Sequence, residues 1–595
     1  MSIVREIKRR NVFRMAVLYI VAAWLIMQVT EVLITLTNLP DWIGPTILGL
    51  LAVGFPIALI LSWFYEITPA GISLEKDVDR AESITHITGR RLDFIVISML
   101  VAAVILFAYD KWWIGGPPEK SIAVLPFTNM SDDPGQEYFS DGISEELLNL
   151  LAKIPELTVI SRSSAFSFKD KNLTIPEIAR RLNVAHVIEG SVRKAGNQVR
   201  ITAQLIEAIT DKRLWSETYD REIEDIFAIQ DEIAAAIVVA LKIALGTSEQ
   251  VAMAHARKPT ENLEAYELYL KGRYFWQRRG EDNIRHAIDL FEQATKVDPQ
   301  FARAWSSLAA AHITLTAWSS VPLDEQSPLA VFAARKALML DDSLAEAYAV
   351  LGDLTRVDRK WAEAEAYYLR AIASGPKNST AHLWYGEHLV SVGRVHDALE
   401  KTLIAYQLDP LHAGTNNNLA RIYWILDDTH NALKYGAAGA ELAGTSAVGL
   451  NIQMLMNLRL GEFERAIEFA EQYEELADVP VGILTLFVEA KMDAAKKKPL
   501  LLEKLEENET ILHFKHLLPA YVGFDRIDDA YRVANMYRDS DLTGTWWVLW
   551  YPEMAAFRQD SRFAELVSKL GLLDYWREYG WPDACRPVGD GLICE

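Results

Sequence analysis

Ala330, Ala364, Ala398, Ala432 and Ala466 stand 34 residues apart, five times in register. A period of this length makes each repeat one small structural unit that buries its core only by stacking on its neighbours. The residues around the alanines agree. Tyr348, Leu351, Gly352, Ala364, Tyr368, Ala371 and Pro376 form one set, and Gly386, Leu389, Ala398, Ala405 and Pro410 form the next. Small residues let the two helices of a unit cross closely, and proline stops the second helix because it cannot continue it. An earlier unit has Ala287, Phe291, Ala294 and Pro299. Its step to Ala330 is 43 residues, and the surplus is expected in a longer inter-helix loop around Trp318–Pro328. The period weakens after Ala466 and returns at Gly523–Ala530.

This spacing is similar to that of tetratricopeptide repeats. The resemblance implies a helical superhelix over 260–540 whose concave surface takes protein partners. Trp384 and Tyr385 are read either as packing between helices or as contacts in that groove.

The net charge of −21 lies beyond residue 111, because residues 1–111 carry ten basic and ten acidic side chains. So acidic a surface repels phosphate backbones, and no nucleic-acid partner is expected. Three apolar runs precede it: Met15–Leu36, Ile43–Tyr65 and Phe94–Tyr109. They are read as a three-span anchor over 15–114, in contact with a lipid bilayer. The first run is too long for a signal peptide, and no small-residue cleavage site follows it. Arg5, Lys8, Arg9, Arg10 and Arg14 form a cytoplasmic basic tail at 1–14, and Lys76, Arg80, Arg90 and Arg91 hold the 66–93 loop on the same side. Three spans then place the C-terminal domains outside the cytoplasm. Gln28 and Glu31 are polar groups inside the first run, and Glu31 is read as packing the spans or as a proton- or signal-sensing site.

Residues 118–247 alternate short strands and helices. Thr174–Glu177 has capping-box form, and Ala195-Gly196-Asn197 reads as a hairpin turn. Ser121–Phe127, Tyr138–Leu148, His186–Val192, Ala203–Ile206, Leu214–Asp220 and Ile229–Ile233 resemble the TolB amino-terminal-like (FlgO-like) domain. In that family the domain stands between a membrane anchor and tetratricopeptide repeats. Some members add a winged-helix or nucleotide-cyclase domain at the cytoplasmic end, for which residues 1–14 leave no room. The resemblance brings no catalytic residue set.

A search for chemistry finds no P-loop, no His-Glu-x-x-His and no Cys-x-x-Cys. Asp132, Asp133, Glu137 and Asp141 are read as a solvated capped loop or a site for a hard cation. Ser161-Arg162-Ser163-Ser164 with Lys169 is read as a hydrogen-bonded strand end or an anion site. His513 and His516 share a helix without an added ligand. The chain is therefore expected not to be an enzyme, with no cofactor and no metal. Cys585 and Cys594, the two cysteines, are expected to form a disulfide within an aromatic cap at 541–595.

The fold class expected is α+β multidomain: three transmembrane helices, a mixed α/β domain and an all-α tetratricopeptide-repeat superhelix. The function expected is an inner-membrane periplasmic scaffold of a bacterium that binds proteins through the repeat groove. The alternative is a receptor acting through a cytoplasmic partner at loop 66–93. Homo-oligomerisation stays open.

Overall fold

The computed structural model describes residues 43–68, 71–74, 117–245, 260–319, 321–443, 447–476, 482–509, 512–539, 545–589 and 591–595, with a few isolated positions besides. The chain divides into two compact units, Met1–Gly116 and Pro117–Glu595.

In the first unit, α1 (Ile43–Phe64) runs into a hairpin of β1 (Tyr65–Thr68) and β2 (Gly71–Leu74). The Tyr19 hydroxyl donates to the Leu51 carbonyl oxygen at 2.8 Å. Gln28, Glu31 and the whole run 94–109 lie outside the described residues. Among the described residues no helix is long and apolar enough to cross a membrane. The expectation of three transmembrane helices is corrected accordingly. A bilayer core takes about 20 consecutive apolar residues. Pro56 lies inside α1.

The second unit begins with a mixed sheet. Its strands are β3 (Ser121–Val124), β4 (Thr128–Asn129), β5 (Thr158–Val159), β6 (His186–Ala195), β7 (Gln198–Glu207) and β8 (Lys212–Glu222). The order is β5-β3-β6-β7-β8, with β4 beside β6. β3 pairs in parallel with β5 and β6, and β6, β7 and β8 form an antiparallel meander. β3 is buried on both faces. Ile122 and Val124 share a core with α2 (Glu137–Ala152) and α5 (Ile226–Leu245), while Ala123 and Leu125 face α4 (Ile175–Leu182). A short helix, α3 (Arg162–Phe166), follows β5. Thr174 and Glu177 cap α4 reciprocally, and Gly196 takes φ +60° in the two-residue turn between β6 and β7.

Helix pairs then stack in chain order. They are α6 (Leu263–Arg278) with α7 (Glu281–Val297), α8 (Ala302–Trp318) with α9 (Leu323–Leu340), and α10 (Ala345–Val357) with α11 (Trp361–Ser374). Next come α12 (Ser379–Ser391) with α13 (Val395–Leu408), α14 (Ala413–Ile425) with α15 (Thr429–Ala443), and α16 (Ala447–Leu460) with α17 (Phe463–Leu476). The last are α18 (Ile483–Met492) with α19 (Ala494–Glu507) and α20 (Phe514–Val522) with α21 (Ile527–Asp539). Helix makes up 69% of the described residues, so this superhelix dominates the fold.

Ala330, Ala364, Ala398, Ala432 and Ala466 are each fully buried. A Cβ on Gly352 would meet the Tyr368 ring at 2.9 Å, and one on Gly386 would collide with Thr402 Oγ1. Pro376 and Pro410 sit in the turns after α11 and α13, where their carbonyl oxygens accept from His382 and Asn416 at 2.9 Å each. The nine surplus residues do not make a long loop. They lengthen the helices: α8 and α9 have 17 and 18 residues against 13 and 14 in α10 and α11. Pro328 is accommodated inside α9.

The chain ends in turns over 546–554, then α22 (Ala555–Gln559), α23 (Arg562–Lys569), α24 (Leu572–Tyr579) and a hairpin of β9 (Cys585–Val588) and β10 (Gly591–Cys594). Cys585 and Cys594 face each other across the hairpin and are joined by a disulfide.

Candidate functional site

The inner face of the array is lined by the first helix of each pair, and the sheet domain is docked onto it. Ile226, Phe227, Tyr266, Tyr269 and Leu270 belong to one continuous apolar core. The Gln230 amide donates to the Tyr266 hydroxyl at 2.8 Å. Gly142 of α2 lets Leu270 of α6 approach so closely that a Cβ there would meet it at 2.8 Å.

Charged groups continue the contact. Glu145 of α2 receives Arg273 at 2.6 Å and Arg162 at 2.8 Å, and Glu146 receives Arg303 at 2.7 Å. Arg273 also reaches Glu346 of α10 at 3.2 Å. Burial alone would push the Glu145 pKa up, but Arg273 and Arg162 hold it below the usual carboxylate range. Burial opposes the charge on Arg273 as well, and Glu145 and Glu346 outweigh it, so its pKa is raised. Further along the array, Asp409 accepts from the Ser163 and Ser164 hydroxyls and, at 3.1 Å, from the Ser164 amide. The Ser161 and Ser379 hydroxyls are 2.9 Å apart, and the Ser161 amide donates to the Leu408 carbonyl oxygen at 2.7 Å. Lys377 donates to the Ile154 carbonyl oxygen, and burial pushes its pKa down to about 8. The sheet domain thus spans the inner face from α6 to the turn before α14.

The C-terminal cap occupies the far half. Arg421 of α14 stacks over Trp547 at 4.4 Å, and the Trp550 indole donates to the Ser391 carbonyl oxygen at 3.2 Å. Trp576 donates to the Val392 carbonyl oxygen at 2.8 Å, and Trp361 donates to that of Leu570 at 2.7 Å. Glu365, 4% exposed, accepts from Tyr385 at 2.6 Å and Tyr575 at 2.8 Å, with His388 at 3.1 Å. Burial would raise its pKa. The bond to His388 and those from the two tyrosines instead hold it at about 2. Burial lowers the pKa of His388, and Glu365 opposes that shift.

The open groove expected from the repeats is therefore largely filled by the chain itself. What stays open is a cleft of about 840 Å³ between α2 and the helices α6, α8, α10 and α12, joined to a hollow of about 540 Å³. Arg162, Ser163, Gln277, Arg279 and His412 border both spaces. These volumes fall in the range of roughly 300–1,000 Å³ typical of ligand sites, which often lie at domain interfaces.

Several candidates read from the sequence meet here. Ser161, Arg162 and Ser163 line the cleft, while Ser164 is buried on Asp409, and all three hydroxyls are already bonded. Glu137 and Asp141 border the hollow and pair with Lys169 at 2.5 and 2.6 Å. Asp133 instead caps a turn, accepting from the Gly135 amide at 2.8 Å. Among the described residues no group of histidine, cysteine or carboxylate side chains is placed to hold a metal ion. Tyr385 is buried on Glu365, whereas Trp384 packs partly buried between helices. His516 is buried against Tyr473 at 3.0 Å, and burial holds the His513 pKa at about 4. Arg273, Arg279 and Glu346 were missed. Their signal was four basic residues between Lys271 and Arg279 in an otherwise acidic region.

The chain contains tetratricopeptide repeats, the family model for which matches residues 350–413. The model of the HilA/YgeH-like transcriptional regulator, second domain, matches residues 118–236. Over 251 residues the chain is 38% identical to a protein of Rhizobium meliloti (strain 1021) named putative adenylate cyclase 3, covering 42% of each. It thus spans about two fifths of that relative's length. It is 19% identical over 455 residues to the transcriptional regulator HilA of Salmonella typhimurium, covering 76% of this chain and 78% of that one. The solved structure of PilW, a type IV pilus biogenesis factor, covers 38% of this chain and 99% of its own, with 19% identity and a TM-score of 0.30. The likeness to a protein named as a cyclase overturns the expectation that the chain is not an enzyme. That expectation rested on missing motifs, and a reactive set scattered over a fold leaves none. The repeats mark a protein–protein interaction scaffold.

Proposed function

We propose that the chain is a scaffold of the bacterial envelope, held at the inner membrane through its N-terminal unit and presenting the sheet domain and repeat array to the periplasm. Its partner is a protein segment that enters the cleft between α2 and the inner helices. The observation that carries this reading is the occupancy of the inner face: the sheet domain and the cap cover it, and the cleft is left between the sheet domain and the inner helices. The space suits a few residues of extended chain better than a whole helix. The disulfide between Cys585 and Cys594 supports an oxidising compartment. The likeness of residues 120–246 to the TolB amino-terminal-like domain belongs to the same reading.

A photo-reactive amino acid at Ser306, inside the cleft, tests it in cells against one at Met339, which is 80% exposed on α9. Capture from Ser306, weakened by salt, is expected, because the surrounding charges are partly screened by ions. Capture from Met339 alone contradicts the proposal. A cytoplasmic protein captured from residues 66–93, with nothing from Ser306, favours a receptor instead.

A further inference from the structure

Most cations around the cleft have a polar or aromatic partner: Lys377 donates to the Ile154 carbonyl oxygen, and Arg278 lies over the Tyr274 ring at 4.4 Å. Arg162, Arg273 and Arg303 each meet a glutamate, and Lys169 meets two carboxylates. Arg279 meets none. Its guanidinium lies 4.5 Å over the Trp276 ring, and its Nη1 is buried without a hydrogen-bond partner. It stands at the end of α6 with φ 56° and ψ −178°, a conformation that favours glycine, so the backbone is strained where the side chain enters the cleft. A buried donor without a partner is costly, and an arginine in this state is poised for an anion.

Glu137, Asp141, Glu145 and Glu346 stand on the walls of the two spaces. They are paired with Arg162, Lys169 and Arg273, so Arg279 keeps its charge open to a ligand. A planar guanidinium fits a planar carboxylate through two parallel bonds.

We propose that Arg279 binds one carboxylate of the protein segment that enters the cleft, either its terminal carboxylate or that of an acidic side chain. This rests on the reading of the cleft given above.

The test uses the full chain and ligand-observed NMR with N-acetylglycylglycine, its C-terminal amide, and N-acetylaspartic acid α-amide, which keeps its side-chain carboxylate. Inorganic phosphate is the competitor. Saturation transfer to at least one carboxylate peptide is expected, with none to the amide. The stronger of the two carboxylates names the source. Arg279→Gln should weaken the binding about tenfold, in line with the loss of a charge-assisted bond. Arg279→Gly should weaken it as much while keeping the fold, because glycine accepts this backbone without strain. Equal binding of acid and amide, binding unchanged in both variants, or phosphate displacing the acid at lower concentration would each overturn the proposal. Capture from Ser306 that survives Arg279→Gln keeps the cleft reading and sinks this one. No capture from Ser306 in the unaltered chain sinks the cleft reading itself.

Discussion

Glu365 shows how one buried carboxylate closes the molecule. It lies in α11, accepts from Tyr385 of α12, and accepts from Tyr575 of α24, 210 residues away in the chain. Arg394 stands 3.4 Å off. Its pKa in the folded chain is about 2 against an ordinary 4.5, so the folded state favours the ionised form. The stabilisation is fully present above pH 4.5 and is lost as pH falls toward 2. Each pKa unit is worth about 1.4 kcal/mol, so the contribution is of order 3 kcal/mol. Glu365→Gln should lose about that much at neutral pH, and urea unfolding followed down to pH 3 should show the gap to the unaltered chain narrowing. A gap that is constant with pH would mean that packing rather than charge is at stake. Arg273 and Glu145 play a comparable part at the other end of the array, where the ionised groups face each other across a domain contact.

The hairpin of β9 and β10 ties the chain end to the cap. Cys585 and Cys594 belong to the core that holds Trp576, the Glu595 amide donates to the Ala584 carbonyl oxygen at 2.8 Å, and Arg558 donates to the Glu595 carbonyl oxygen at 2.9 Å. Closing so short a loop limits the unfolded chain by roughly 2–3 kcal/mol. Thiol labelling of the unreduced, denatured protein should find no free cysteine, and two after reduction. Two before reduction would remove the bond and its support for an oxidising compartment. The helices of the array were legible because Ala, Gly and Pro must recur wherever two helices cross and stop. The hairpin turn at Gly196 and the cap of α4 were legible for the same local reason. The length of α8 and α9 was not. Extra residues near a proline read as loop, yet Pro328 sits inside α9 with Ser327 bonding back to the Leu323 carbonyl oxygen at 2.5 Å.

At the scale of the molecule, the array curls around its own chain. The sheet domain covers the inner face from α6 to α13, and the cap returns to α11–α13 and α14. None of this has a period. It rests on pairs such as Arg273 with Glu145 and Ser164 with Asp409, 128 and 245 residues apart. Glu145 reads in sequence as one more exposed acid on an amphipathic helix, and Asp409 as the end of a repeat. The cleft was therefore out of reach of the sequence, although Ser161, Arg162 and Ser163 on its wall were singled out. The central claim is that the sheet domain fills the inner face and so creates the cleft. It is tested most directly by Ser161→Cys with Ser379→Cys in the full chain, because the two hydroxyl oxygens are 2.9 Å apart. Mild oxidation should close a new disulfide in nearly every molecule, seen as a gel shift that reduction reverses. Free thiols at both positions after oxidation of the folded chain would mean that the sheet domain does not sit there.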